Sequence, residues 1–146
     1  MKKLLIVLAL ACTLSSLYAQ KTCYSELKGD TLVIGNECIE RKFIWNGGNL
    51  VTYSLSDKVS RKTTFTVKQT PDFFISKDTR EASKGACRVE KVAATDIHPA
   101  YLKTIVTFSL GTLDIQRIYR IYDGCPAIAC DTYLKGSVNS VFGGRE

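Results

Sequence analysis

The most sharply defined pattern in the chain is an alternation of apolar and polar residues at positions 101–135. β-Branched and aromatic residues dominate it, and two turns divide it into three segments of strand length. The first turn is Gly111-Thr112, a glycine-first pair typical of two-residue hairpins, and the second is Asp123-Gly124-Cys125-Pro126. The pattern predicts three consecutive antiparallel strands.

Bulky side chains occupy both faces of these predicted strands. In the first strand four apolar residues share one face and two lie on the other: Leu102, Val106, Phe108 and Leu110 against Tyr101 and Ile105. The second strand repeats the arrangement, with Leu113, Ile115, Tyr119 and Ile121 against Ile118 and Tyr122. Strands that are apolar on both faces indicate either a central strand or a large sheet with something packed on its outer face.

Shorter β-prone segments precede this run, at residues 31–34, 38–45, 50–55, 63–67 and 87–92. The turn Asn46-Gly47-Gly48-Asn49 predicts a hairpin, since Gly and Asn tolerate positive φ. Residues 21–28 are expected to be an irregular lead-in, and residues 76–85 a surface loop. About eight short strands at hairpin spacing predict an all-β fold, an antiparallel β-sandwich.

The first nineteen residues have the pattern of a secretory signal peptide. Two lysines precede the apolar run 4–14, and Ala19 is a small residue before the expected cut. The run is shorter than the roughly 20 apolar residues that span a membrane. Cys12 raises the alternative of lipidation, but the residues before it do not match that pattern. We expect residues 1–19 to be removed and 20–146 to form one domain, periplasmic or extracellular and without a membrane contact.

Charge and cysteine spacing exclude several classes of function. The net charge of +6 is spread among acids, as in Glu40-Arg41-Lys42, so no nucleic-acid partner is expected. No zinc-type cysteine spacing, phosphate loop or dinucleotide fingerprint occurs, so neither a metal nor a cofactor is expected. Five cysteines follow the predicted cut: Cys23, Cys38, Cys87, Cys125 and Cys130. Because the number is odd, they cannot all pair within the chain, and the sequence does not determine which of them form disulfides.

Few residues are candidates for catalysis, and we assign no catalytic residue. His98 is the only histidine and precedes a proline in a predicted connector. Its pairing with Cys87 or Cys130 stays open, although no local signature supports it. Three acids lie near turns or strand ends, where acids accept local hydrogen bonds: Asp114, Asp123 and Asp131.

A second group of residues suggests ligand binding. Trp45 can stack on a sugar ring, with the amides of Asn46 and Asn49 as hydrogen-bond partners, although Trp45 as part of the core is the simpler interpretation. Arg117 and Arg120 lie in a predicted strand. They either pair with acids across the sheet or line a groove for a polar ligand.

Several segments together resemble the amino-terminal region of exported alpha-galactosidase-type glycoside hydrolases (family 36, melibiase-like). They are residues 33–36, 39–43, 45–50, 117–122, 125–128 and 131–133. The resemblance implies a β-sandwich of the mutarotase-like kind, incomplete in this chain. It also implies that the two catalytic aspartates belong to a following (β/α)-barrel, so none is carried onto this sequence.

Three hypotheses follow for function. The leading one is a noncatalytic amino-terminal module, or truncated product, of such a hydrolase, with the catalytic barrel as its partner. The alternative is a free-standing secreted module that binds a galactoside-like carbohydrate. A small secreted enzyme that uses His98 ranks third. An incomplete sandwich would also expose a strand edge, which predicts self-association.

Overall fold

A computed structural model describes residues 23–66, 70–75 and 81–137. All regular structure in these ranges is β, with nine strands in two antiparallel sheets. The predicted signal peptide, residues 1–19, lies outside the described residues. Within the described part, no helix is both long and apolar enough to span a bilayer.

The first sheet contains five strands in sequence order: β1 Tyr24–Lys28, β2 Thr31–Gly35, β3 Ile39–Asn46, β4 Asn49–Asp57 and β5 Lys62–Phe65. The predicted turn between β3 and β4 is confirmed, since Gly47 and Gly48 have φ values of +59° and +115°. The prediction of an irregular lead-in at residues 21–28 is wrong for β1. This strand pairs with β2 along its whole length, and its polar outward residues masked the strand pattern.

The second sheet contains the other four strands: β6 Ser83–Val92, β7 Tyr101–Leu110, β8 Leu113–Tyr122 and β9 Ile128–Gly136. The predicted three-strand unit at 101–135 is confirmed, with Gly111 at φ +61° in the first turn. β6 begins inside the segment predicted to be a loop. A register shift between Ser83 and Ala86, with Lys84 at φ +55°, breaks the alternation that would have revealed the strand.

The two sheets pack face to face, which confirms the antiparallel β-sandwich. The faces of β7 and β8 that carry four apolar residues each supply much of the core, and β2, β3 and β4 supply the opposite wall: Leu32, Ile34, Phe43 and Leu50. The rings of Phe43 and Tyr119 meet between the sheets with their centroids 5.3 Å apart. Ile105 faces outward yet is only 2% exposed, as expected for a central strand.

A fully buried amide ties the two sheets together at one end. Asn36 follows β2, and its Nδ2 donates hydrogen bonds to the carbonyls of Tyr122 and Cys125, each at 2.7 Å. Its Oδ1 accepts from the backbone N–H groups of Cys38 and Ile39 at 2.8 and 2.9 Å. All of the amide's principal hydrogen-bonding capacity is therefore used to join the β2–β3 turn to the β8–β9 turn.

A charged cluster lies between the sheets. Asp72, from the segment after β5, accepts a hydrogen bond from Arg41 Nη2 at 2.7 Å and lies 3.8 Å from Arg117 Nη1. Thr52 binds the same carboxylate through its backbone N–H at 2.9 Å. On the outer face, Arg120 pairs with Asp131 of the neighbouring strand. Of the two alternatives for the strand arginines, the structure therefore shows the pairing with acids, across the sheet for Arg120 and between the sheets for Arg117.

Candidate functional site

Two adjoining hollows lie on the outer face of the four-stranded sheet. The larger has a volume of about 400 Å³ and extends over β7, β8 and β9. The smaller, about 160 Å³, extends towards Arg88 on β6. Thr107 and Gln116 line both hollows, so the two lie side by side, and we call them together the outer groove.

Strand register explains how the outer groove is built. Side chains alternate between faces along a strand, so every second residue of β7, β8 and β9 points away from the core. The register aligns Thr107 with Gln116 and then Tyr133 in one row across the sheet. The next row aligns Ser109 with Asp114 and Lys135. The groove floor therefore consists of two parallel rows of outward-facing side chains.

The groove combines an aromatic ring with several hydrogen-bonding groups. Tyr133 is 55% exposed and lies directly across from Gln116 on the neighbouring strand. Asp114 Oδ1 accepts a hydrogen bond from Ser109 Oγ at 2.7 Å, which orients the carboxylate. Lys84 also lines the larger hollow. Such a surface can stack on an apolar ring face while donating to and accepting from hydroxyl groups.

A ladder of ion pairs borders the groove on the same face. Glu90 of β6 contacts Arg88 at 3.1 Å and Lys103 of β7 at 3.4 Å. The pair between Arg120 and Asp131 continues the ladder onto β8 and β9. These charges neutralise one another across neighbouring strands. Asp131 is therefore an ion-pair acid, while Asp114 lies in the groove.

The structure does not bring His98 together with either candidate thiol. The His98 ring packs edge-on against Tyr101, 5.4 Å between centroids, and its Nδ1 lies 3.0 Å from the Pro99 carbonyl. Tyr101 faces outward, whereas Cys87 pairs across the strands with the core residue Val106 and so faces inward. Burial raises the pKa of the Cys87 thiol, which makes it less reactive.

Cys130 is also directed inward, where Arg117 Nη2 contacts its sulfur at 3.4 Å. It therefore lies on the opposite face of the second sheet from His98. Among the described residues, no three His, Cys, Asp or Glu side chains are grouped so that they could hold a metal ion.

The three residues predicted to bind carbohydrate lie on the other sheet. Trp45 is half-buried and packs against the core. Asn49 is buried, and its Nδ2 donates to the Phe73 carbonyl at 2.5 Å while its Oδ1 accepts from the Leu50 N–H at 2.9 Å. Asn46 is exposed. The core interpretation of Trp45 agrees with this placement, and carbohydrate binding at these residues stays a prediction.

Sequence reasoning missed the groove residues, although their signal was present. The polar positions of the alternating pattern in β7 and β8 are Thr107, Ser109, Asp114 and Gln116. The sequence pattern suggested no role for Thr107, Ser109 and Gln116, and it marked Asp114 only as an acid near a turn. Their alignment with Tyr133 depends on the β8–β9 register, which the sequence pattern alone does not specify.

Comparisons with models of known protein families, with curated proteins and with solved structures each found no match to this chain. The resemblance to alpha-galactosidase-type glycoside hydrolases therefore stays a prediction based on the segments quoted above.

Proposed function

We propose that this chain is a noncatalytic β-sandwich module that binds carbohydrate in the outer groove. The groove itself carries the proposal. Its larger hollow of about 400 Å³ falls within the usual range of small-molecule sites. Tyr133 supplies a stacking surface, and Gln116, Thr107 and Asp114 supply donors and acceptors for sugar hydroxyls.

The acid content of the groove favours binding over hydrolysis. Most glycoside hydrolases place two carboxyl groups about 5 to 9.5 Å apart, on either side of the scissile bond. Among the residues that line the two hollows, Asp114 is the only acid and no histidine occurs. One carboxylate can hold a hydroxyl group, but it cannot serve as both acid and base or nucleophile in that mechanism.

A second candidate role is that of a module of an exported alpha-galactosidase-like hydrolase, which would make the ligand galactoside-like. The sequence resemblance supports it, and so do exposed aromatic side chains on β4 and β5 of the first sheet. Tyr53 and Phe65 are 49% and 58% exposed, and their ring centroids lie 5.6 Å apart. A packed catalytic barrel would remove these side chains from water. Self-association through the β5 edge is the competing proposal for this surface.

Calorimetric titration tests the groove directly. The chain lacking residues 1–19 is titrated with neutral oligosaccharides, galactosides included, as wild type and as Tyr133→Ala. We expect binding that weakens about tenfold in the variant, because a lost stacking contact costs about 1.4 kcal/mol. Tyr53→Ala is the matched control, since Tyr53 is 49% exposed on the other sheet. No heat with any saccharide up to millimolar concentration would refute carbohydrate binding.

Two further measurements separate the outer groove from the alternatives. Trp45 is the only tryptophan and lies on the opposite sheet, so a ligand in the groove should leave its fluorescence unchanged. Loss of binding in Asn46→Ala, with Tyr133→Ala unaffected, would instead place the sugar at the β3–β4 turn. A release assay with an aryl alpha-galactoside should show no turnover by the purified chain, and sustained turnover would overturn the noncatalytic assignment.

A further inference from the structure

Two cysteines lie on turns that face each other at one end of the sandwich. Cys38 is in the β2–β3 turn of the first sheet, and Cys125 is in the β8–β9 turn of the second. The Asn36 side chain connects them, because it accepts from the Cys38 N–H and donates to the Cys125 carbonyl. Glu37 adds a second link by accepting from the Gly124 N–H at 2.6 Å. The backbone positions of both cysteines are thus set by hydrogen bonds across the sheets.

The sulfur of Cys38 is already close to the backbone of Cys125. Cys38 Sγ lies 3.6 Å from the carbonyl oxygen of Gly124, the residue before Cys125. In a trans peptide that oxygen is about 2.8 Å from the next Cα, so Cys38 Sγ is at most about 6.4 Å from the Cys125 Cα. This upper bound is compatible with the Cα separation of about 4.4 to 6.8 Å that a disulfide needs, and the bond requires both side chains to rotate towards each other.

We propose that Cys38 and Cys125 form a disulfide that clamps the two sheets together beside Asn36. Both residues are half-buried, so an oxidant in solution can reach them. Cys87 is equally half-buried but faces the core, and Cys130 is exposed with its sulfur directed towards Arg117 on the inner face of the second sheet. Cys23 Sγ donates to Asp123 Oδ1 at 3.0 Å on the flank of the same turn. The sequence left the pairing open, and the tertiary structure selects this one.

The cross-link forms by thiol–disulfide exchange with a small-molecule disulfide such as oxidised glutathione. One protein thiolate attacks a sulfur of the oxidant, breaks its S–S bond and releases one reduced thiol. The second protein thiolate then attacks the mixed disulfide, forms the Cys38–Cys125 bond and releases the other thiol. Two electrons pass from the protein to the oxidant, and the two thiol protons end on the released thiolates.

Peptide mapping identifies the bond. The full chain is exported from an expression host, incubated with oxidised glutathione, alkylated and digested with trypsin without reduction. Cleavage after Lys28, Arg41, Arg120 and Lys135 releases peptides 29–41 and 121–135. We expect these two to be linked, and fragmentation of the second then assigns Cys125 rather than Cys130. Alkylation of both Cys38 and Cys125, or linkage of either to another cysteine, would overturn the proposal.

Thermal unfolding supplies an independent measurement. We expect the melting temperature of the oxidised protein to fall by about 10 °C in dithiothreitol, because the bond closes a long loop in the unfolded chain. Cys38→Ser and Cys125→Ser should each abolish this dependence on reductant. Cys87→Ser is the control and should retain it. An equal effect of dithiothreitol on Cys38→Ser and on wild type would refute the bond.

Discussion

Replacement of Asn36 by alanine tests whether one buried amide stabilises the packing of the two sheets against each other. The side chain is fully buried and lies between the β2–β3 and β8–β9 turns. Its Nδ2 donates to the Tyr122 and Cys125 carbonyls, and its Oδ1 accepts from the Cys38 and Ile39 N–H groups. Alanine removes all four hydrogen bonds and leaves a space that the rigid turns cannot close.

The magnitude follows from these four contacts. A hydrogen bond contributes about 1 kcal/mol net, and a buried group left without a partner costs about 1 to 3 kcal/mol. Water can enter the emptied space and satisfy some of the four groups, which lowers the cost. We expect Asn36→Ala to lower the free energy of unfolding by about 3 to 5 kcal/mol, a large part of the total for a domain, typically about 5 to 15 kcal/mol.

Urea unfolding followed by the fluorescence of Trp45 measures this loss. Trp45 is the only tryptophan and is half-buried, so unfolding should change its emission. The experiment is done in a reducing buffer, which keeps the neighbouring cysteines from contributing a cross-link. Asn46→Ala is the control, because that side chain is exposed in a turn and its loss should change stability by no more than about 0.5 kcal/mol. A loss below about 1 kcal/mol in Asn36→Ala would refute the reasoning.

Three other substitutions probe the polar groups of the sandwich. Asp72→Ala should cost about 3 to 5 kcal/mol in urea unfolding, because two arginines between the sheets lose their carboxylate; an unchanged midpoint would contradict this. Tyr119→Phe should be neutral or stabilise by up to about 1 kcal/mol, since the buried hydroxyl has no hydrogen-bond partner within the described part; a clear drop in melting temperature would show that the hydroxyl is bonded. Partial burial raises the pKa of Glu40, but hydrogen bonds from Tyr24 and Lys42 outweigh it and hold the pKa below its ordinary value. Its stabilising contribution is therefore full above the unfolded-state pKa of about 4.3 and is lost as pH falls through the lower folded-state pKa. When the free energy of unfolding is measured against pH, Glu40→Gln should lose less stability at acid pH than wild type does. An equal loss in both proteins would count against the hydrogen bonds of Glu40 with Tyr24 and Lys42.

The sequence by itself determined the fold class and the best-punctuated strands. The strands β7 to β9 and the turn at Gly47-Gly48 follow from alternation with a period of two and from glycine at positive φ. Both signals are local, so they can be recognised before any tertiary contact is known. The strands that escaped prediction lack these signals. β1 is mostly polar outside, and the bulge near Lys84 interrupts the alternation of β6.

Only the tertiary structure decided which residues meet. The outer groove depends on the β8–β9 register that places Gln116 beside Tyr133. Asn36 reaches a carbonyl 89 positions later in the chain, that of Cys125. Asp72 belongs to a segment after β5 in which the sequence shows only the end of a strand pattern. Its carboxylate nevertheless lies between the sheets, where it binds Arg41. The physical reason is common to all three. Such contacts arise from sheet pairing and sheet packing between distant segments, and no local periodicity encodes the partner or the alignment.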